Sequence, residues 1–428
     1  MESKDKTIVT FHSGILTIGG TVIEVAYNNS HIFFDFGTEF RPELDLPDES
    51  LITLIDNGLV PELSDVYDPR LGYTNRKAKK QKYTHTAVFL SHAHLDHSKM
   101  INYLDPAIDL YARKETKAIL KELNRTGDFL LPSPFEKANF TREIIGVEAY
   151  ESIEIGEISV EILPVDHDAY GACGLLIHTP EKSLAYTGDL RLHGYDRKDT
   201  LEFCKRVNAC DLLMMEGVSI SFPDQKPEDI KILSEENLIL QLVSLVKGNP
   251  ARTITFNGYP ANIRRFEKII EKSPRKVVLK ANMAALLLEI LGLNFLYYYE
   301  EDEKEIAALD PDLAIEKAIL LKDTQNFLWQ VTDHFEQLPA GSLYIHSDAE
   351  PLGEFDPSYV PFLRMLKAHK IEFIRLACTG HAFSDDLNKI IALIHPKLLV
   401  PIHTLHPEKL ENPYGERILP TRGSSIVL

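Results

Sequence analysis

A run of β-branched and apolar residues, Thr86–Leu90, leads straight into Ser91-His92-Ala93-His94-Leu95-Asp96-His97, three histidines and an aspartate within six positions. Side chains two apart in an extended segment share a side, so His92 and His94 can grip one metal ion together. Asp96 and His97 fall where the chain turns into a helix and can face a second ion. Imidazole and carboxylate donors suit zinc, with manganese served where oxygen donors dominate. Two ions need further ligands, and the chain supplies them at strand ends. His167 follows the strand Val160–Leu163, Asp189 follows Ser183–Thr187, and His403 ends the apolar run Lys397–Ile402. A single His or Asp in such a place is ordinarily a turn or cap residue. With His92, His94, Asp96 and His97 they make seven ligands, enough for two divalent ions that share one carboxylate.

The rest of the chain sorts into two textures. Thr7–His12, Thr21–Tyr27, His31–Asp35, Thr86–Leu90, Glu157–Leu163, Cys173–His178, Ser183–Thr187 and Asp211–Met215 read as short strands between Gly and Asn turns. Beyond about residue 218, strands alternate with helices. Ser234 caps an apolar-periodic helix that stops at Gly248-Asn249-Pro250. Thr253–Phe256, Lys276–Leu279, Ser342–His346 and Glu372–Leu376 read as strands, Ala261–Glu271 and Met283–Leu291 as helices. Such alternation indicates a parallel-sheet α/β module. The acidic stretch Glu300–Glu305 reads as a solvated loop.

The ligand pattern resembles the metallo-β-lactamase superfamily, in which HxHxDH, a later His, a bridging Asp and a final His form a dinuclear centre. Asp35, in Phe33-Phe34-Asp35-Phe36-Gly37, matches that superfamily's first motif, where the aspartate orients a ligand or its loop. The resemblance covers residues 7–215 and 375–428. It implies an α/β fold, the αββα sandwich, and the α/β module lies between the Asp189 and His403 motifs. Three parts result: 1–215 and 375–428 as the hydrolase domain, 216–374 as the insertion.

That arrangement is similar to the β-CASP nucleases, whose members include ribonuclease J and the Artemis-type DNA nucleases. Glu216-Gly217 is similar to their acidic motif A, and Cys378-Thr379-Gly380-His381-Ala382 to motif B, with Thr379 where serine is common. His403 doubles as motif C, and a histidine there resembles the RNA-cleaving branch. Asn262-Ile263-Arg264-Arg265 is similar to the family's Asn-x-x-Arg segment. The resemblance implies cleavage of single-stranded RNA, from the 5′ end or internally, by a hydroxide shared between two ions. It makes Asp96, His381 and Glu216 the candidate catalytic residues. His381 donates to the scissile phosphate or protonates the leaving oxygen, and Glu216 orients His381 or His403. Thr379, Gly380, His381 and Ala382 become the candidate phosphate loop, beside a helix capped by Ser384. Nothing follows His403 to match the C-terminal domain of full-length ribonuclease J, through which those proteins dimerise, though a homo-oligomer remains compatible with the chain.

Other substrates fit the same ligands. A small-molecule ester, thioester or lactone hydrolase shares the fold but has no use for the insertion, and a DNA nuclease shares both. A non-catalytic assembly subunit would have lost ligands that are intact here. The net charge of −18, from 46 Lys and Arg against 64 Asp and Glu, excludes a broad non-specific nucleic-acid surface but not a narrow metal-lined cleft. The strongest basic run, Arg76-Lys77-Ala78-Lys79-Lys80-Gln81-Lys82, is a solvated loop or a lid that steers a strand toward that cleft. Cys173, Cys204, Cys210 and Cys378 lack a CxxC spacing and read as buried free thiols of a cytoplasmic protein. No apolar run approaches the roughly 20 residues of a membrane span.

Overall fold

The computed structural model describes residues 5–39, 41, 43–44, 46–63, 65–73, 84–222, 233–301 and 303–428. The basic run 76–82 therefore lies outside the described residues. The chain divides into two units. The first gathers Met1–Leu192, Asp196–Gln225 and Gly380–Leu428, and the second His193–Tyr195 and Lys226–Thr379.

Among the described residues the first unit holds two seven-stranded mixed sheets. One runs Ser425–Val427, Thr7–Ser13, Val22–Tyr27, Ser30–Phe34, His85–Phe89, Asp109–Arg113, Ile145–Val147. The other runs Glu416–Arg417, Leu398–Ile402, Leu212–Glu216, Ser183–Tyr186, Cys173–His178, Ile158–Pro164, Ser152–Ile155. Side-chain alternation along each strand builds the layers. Leu212 and Met214 pack between the sheets with Val9, Phe11, Ile32 and Leu175. Their neighbours Leu213 and Met215 face the other way, onto Phe203 of the helix Arg197–Arg206 and Leu387 and Ile391 of the helix Ser384–Ile394. A strand buried on both faces is apolar at every position rather than at every second one. The helix Lys114–Leu123 packs on strands Asp109–Arg113 and Ile145–Val147 of the first sheet. This is an αββα sandwich.

Strand direction decides where the loops with the candidate ligands gather. Ser30–Phe34 and His85–Phe89 run parallel in one sheet. Ser183–Tyr186, Leu212–Glu216 and Leu398–Ile402 run parallel in the other. Ile158–Pro164 is reversed twice relative to Ser183–Tyr186, through Cys173–His178, and so points the same way. The carboxyl ends of the parallel strands in each sheet therefore share an edge.

The second unit is a six-stranded sheet, parallel throughout, in the order Tyr297–Tyr298, Lys276–Lys280, Phe327–Gln330, Ile254–Gly258, Leu343–Ser347, Glu372–Arg375. Ser234 caps the helix Glu235–Gly248, its hydroxyl accepting from the Asn237 amide at 3.2 Å. The buried Arg265 ties the unit together. It donates to Glu235 Oε1 and Asp348 Oδ2, each at 2.7 Å, and to the Cys378 carbonyl at 3.2 Å.

Several expectations are corrected. Ser384 opens its helix as the first helical residue, behind Phe383, and caps nothing. Glu300 is not a solvated carboxylate: its side chain is only 11% exposed and pairs with Lys317. The strands Asp109–Arg113 and Phe327–Gln330 and the helix Tyr359–Ala368 have no counterpart among the elements expected from sequence. All four cysteines are buried and unpaired with one another, and burial pushes the Cys173, Cys204 and Cys210 thiols up to about 12. Among the described residues no helix is long and apolar enough to cross a membrane.

Candidate metal centre

The carboxyl ends of strands in the first unit converge on one cluster of histidines and carboxylates. Two compact donor sets lie side by side there. His92, His94 and His167 form one; Asp96, His97, Asp189 and His403 form the other. Within each set the donor atoms lie within 4.8 Å of one another.

The ring nitrogens are turned by a network behind them. Asp35 ends the strand Ser30–Phe34 in a left-handed conformation, φ 58°, which a short polar side chain tolerates better than most. Its fully buried carboxylate accepts the Ser91 amide at 2.7 Å, the Ser91 hydroxyl at 2.8 Å, His97 Nδ1 at 2.8 Å and the Tyr186 hydroxyl. Because the Ser91 hydroxyl donates to Asp35, it accepts from His92 Nδ1 at 2.9 Å. His167 Nδ1 donates to the Gly380 carbonyl at 2.6 Å. Each of these three rings thus carries a proton on Nδ1 and turns Nε2 inward. His94 is reversed: its Nδ1 faces His92 Nε2 at 3.1 Å and His167 Nε2 at 3.2 Å. His403, at φ 52°, sets Nδ1 at 3.4 Å from Thr21 Oγ1, its Nε2 facing Asp96 and Asp189.

Asp189 stands between the sets. Its Oδ2 is 3.7 Å from His92 Nε2, 3.3 Å from His97 Nε2 and 3.8 Å from His403 Nε2. Asp96 Oδ2 is 3.5 Å from both His97 Nε2 and His403 Nε2. Gly188 makes this approach possible. It takes φ +54°, and a Cβ there would sit 2.7 Å from the Cys173 carbonyl oxygen. Gly37 has a similar task, because a Cβ on it would meet the Asp96 carbonyl oxygen at 1.8 Å.

The donors fit divalent cations. Among the described residues His97 Nε2, His403 Nε2 and Asp189 Oδ1 are buried and make no hydrogen bond, a costly state for polar atoms that a bound cation would relieve. Electrostatics agree. Burial opposes ionisation of Asp189, but His403, His97 and His381 hold its carboxyl well below the usual range. Burial and the neighbouring rings push His92 well below its ordinary value, and burial brings His167 down to about 3. His97 goes the other way: burial resists its charge, yet Asp189, Asp96 and Asp35 raise it well above the ordinary value.

His381 lies beside the second set. Its Nδ1 is 3.4 Å from Glu216 Oε1 and 3.7 Å from Asp189 Oδ2. Burial lowers its affinity for a proton, but Glu216 and Asp189 more than offset this and lift it to about 9. Glu216, fully buried at the end of its strand, thus faces His381, and its Oε2 accepts the Val218 amide at 2.9 Å. The candidate phosphate loop is narrower than expected. The Ala382 amide is committed to the Leu190 carbonyl at 2.7 Å, which removes Ala382 as a phosphate donor. The Thr379 carbonyl accepts from His193 Nε2 at 2.9 Å. Asp385 and Asp386 in the first turn of the following helix also disfavour an anion there.

Ser91, Thr21 and Asp168 were not marked by the sequence motifs, and Tyr186 was marked only as the residue opening Tyr186-Thr187-Gly188-Asp189. Of the first three, Ser91 alone carried a local signal, as the residue preceding His92.

Comparison with known proteins places these residues in context. A model of the β-lactamase superfamily domain matches residues 65–230. The chain is 21% identical to the ribonuclease J of Mycoplasma genitalium, over 94% of this chain and 68% of that protein. It is 22% identical to the ribonuclease J of Pyrococcus abyssi, over 91% and 88%. Against the Helicobacter pylori ribonuclease J, at 23% identity, it covers 94% of itself and 56% of that protein. Among solved structures it is similar to a crystal structure of a protein of unknown function from Enterococcus faecalis. The TM-score is 0.96 at 66% identity, covering 99% of this chain and all of that one.

Proposed function

We propose, for a chain that belongs to the metallo-β-lactamase superfamily in its ribonuclease J-like β-CASP branch, hydrolysis of phosphodiester bonds in single-stranded RNA with two divalent metal ions. The observation that carries this reading is Asp189, placed between a three-histidine set and a set of Asp96, His97 and His403. Zinc suits the nitrogen-rich first set, and zinc or manganese the second.

Bound there, two ions would supply Lewis acidity and a water acidic enough to be deprotonated near neutral pH. The chain's own residues supply the rest. Asp35, Ser91 and the Gly380 carbonyl fix three imidazoles in the tautomer that leaves Nε2 free to ligate. Glu216 Oε1 faces His381 Nδ1 at 3.4 Å, so the proton His381 can offer to a substrate is the one on Nε2. His381, raised to about 9 by Glu216 and Asp189 before any ion binds, keeps Glu216 as a carboxylate partner once Asp189 is drawn to a cation. It can therefore neutralise a phosphate oxygen or protonate the leaving oxygen. The net charge of −18 disfavours anion binding over the surface at large.

The test uses single-stranded RNA labelled at the 3′ end, with a 5′-monophosphate or a 5′-hydroxyl, and protein loaded with zinc or manganese. Metal-dependent cleavage that His381→Ala reduces at least a hundredfold supports the reading. Stepwise shortening that prefers the monophosphate indicates a 5′-exonuclease, and internal fragments an endonuclease. Faster cleavage of matched DNA reassigns the substrate. Metal-loaded protein that cuts neither leaves a small-molecule ester, thioester or lactone as the substrate class.

A further inference from the structure

We infer that Asp168 is a positioning residue of the three-histidine set: it takes the outward Nε2 proton of His94 and so keeps Nδ1 of that ring turned inward. The inference rests on the metal-binding part of the reading above, not on the substrate.

The tautomers force the question. His92 and His167 each spend the Nδ1 proton on a partner, Ser91 Oγ and the Gly380 carbonyl, and present Nε2 to the set. His94 presents Nδ1 instead. A neutral imidazole that gives Nδ1 to a cation carries its proton on Nε2, and a metal-ligating histidine ordinarily gives that proton to a carboxylate, carbonyl or water. Asp168 Oδ1 is 3.6 Å from His94 Nε2. That is about 0.4 Å beyond a normal N–H···O bond, a gap a small side-chain adjustment closes. Asp168 Oδ1 is itself buried and makes no hydrogen bond.

Two alternatives for this oxygen fare worse. His167 Nε2 lies nearer, at 3.1 Å, but its proton is on the opposite nitrogen, held by Gly380, so it has none to donate. Asp168 is also absent from the compact donor set that His92, His94 and His167 form, which separates it from the ligands proper. The fold holds the carboxylate where it is. A Cβ at Gly380 would stand 2.4 Å from Asp168 Oδ1 and 2.8 Å from His167 Cε1, so a residue with no side chain is what leaves both groups in place. One glycine thereby serves two rings, through its carbonyl for His167 and through its missing Cβ for Asp168 and His94.

The experiment measures metal binding without any nucleic acid. Zinc affinity is read by competition with a chromophoric chelator, and the visible spectrum by cobalt substitution, for the wild-type chain, Asp168→Ala and Asp168→Asn. The thermal midpoint of each metal-free protein is the control. The expected result is a loss of about 10–100-fold in affinity for one of two ions in Asp168→Ala, with an altered cobalt spectrum and the other ion unaffected. Asp168→Asn, which keeps an acceptor oxygen and the shape, should recover most of that affinity. Unchanged affinity for both ions in the alanine variant, or an equal loss at both, overturns the assignment. If the alanine variant fails to fold, an asparagine variant with wild-type affinity and spectrum supports it, and one as weak as a histidine-ligand deletion such as His94→Ala overturns it. A wild-type chain that binds no divalent ion refutes this inference and the proposed function together. Metal binding that weakens as expected in a protein inert toward RNA refutes the substrate alone.

Discussion

Asp35→Asn should damage the metal centre by moving a single proton. The asparagine keeps the volume of the aspartate and tolerates its φ of 58°. It exchanges one acceptor oxygen for an NH2 in a site that holds the Ser91 amide, the Ser91 and Tyr186 hydroxyls and His97 Nδ1. With its oxygen on the Ser91 amide, the new NH2 faces His97 Nδ1, and the ring can satisfy it only by becoming the acceptor. The ring proton then moves to Nε2, the atom that faces Asp96 at 3.5 Å and Asp189 at 3.3 Å. Loss of such an orienting partner weakens metal binding by about 10–100-fold, or roughly 1.4–2.7 kcal/mol. Asp35→Ala should instead act on folding, by about 3–5 kcal/mol, because it strands several buried donors. Chelator competition with zinc gives the affinities, urea denaturation of the metal-free proteins gives the stabilities, and ring nitrogen chemical shifts report the tautomer. An asparagine variant that binds both ions like the wild type, or keeps its proton on Nδ1, refutes the argument.

Metal uptake should be proton-linked. Carboxylates raise His97 well above its ordinary value, so protons compete with a cation for this ring more strongly than for a free imidazole. Affinity for one ion should fall about tenfold per pH unit on acidification, and calorimetry in buffers of different ionisation enthalpy should show proton release; a flat profile between pH 6 and 8 contradicts this. Glu24→Gln should be destabilising near neutrality. Burial raises the Glu24 pKa, but hydrogen bonds from His12 at 2.9 Å and His31 at 2.8 Å bring it down to about 2. A depressed folded pKa gives stability that is present above the unfolded value of 4.5 and lost as pH falls toward 2. The variant should thus lose about 3 kcal/mol at pH 6–7 and progressively less below pH 4.5, as read by urea midpoints across pH. Arg265→Met should cost about 3–5 kcal/mol by leaving the buried Glu235 without its ion partner. Adding Glu235→Leu should restore part of that loss, and a double variant no more stable than the single argues against the pair.

Proximity in sequence decided how much of the centre could be read from the chain alone. His92, His94, Asp96 and His97 sit on one strand-to-helix turn, so their spacing already states their geometry. His167, Asp189 and His403 could be found because each directly follows an apolar strand. The supports could not. Tyr186 reaches Asp35 across 151 positions and Ser91 across 56, and the Tyr186-Thr187-Gly188-Asp189 motif does not say where the tyrosine hydroxyl aims. Asp168 was passed over because a strand-end pattern says where a turn begins, not where its residues aim. The same holds for the fold. Cys173–His178 was legible to the residue, being an apolar run bounded by turn residues. Tyr297–Tyr298 is a strand only because Leu279 and Lys280 lie beside it.

The first unit draws its sheets from both sides of the second in sequence, and this imposes an order of events on synthesis. The strand Leu398–Ile402, which pairs with Leu212–Glu216 and delivers His403, is translated only after Lys226–Thr379 has been made in full. The strand Ser425–Val427, which lies against Thr7–Ser13, comes later still. A growing chain can therefore finish its parallel-sheet unit while the other remains an open sandwich lacking the candidate ligand His403. No complete set of Asp96, His97, Asp189 and His403 can assemble until the parallel-sheet unit has been translated in full.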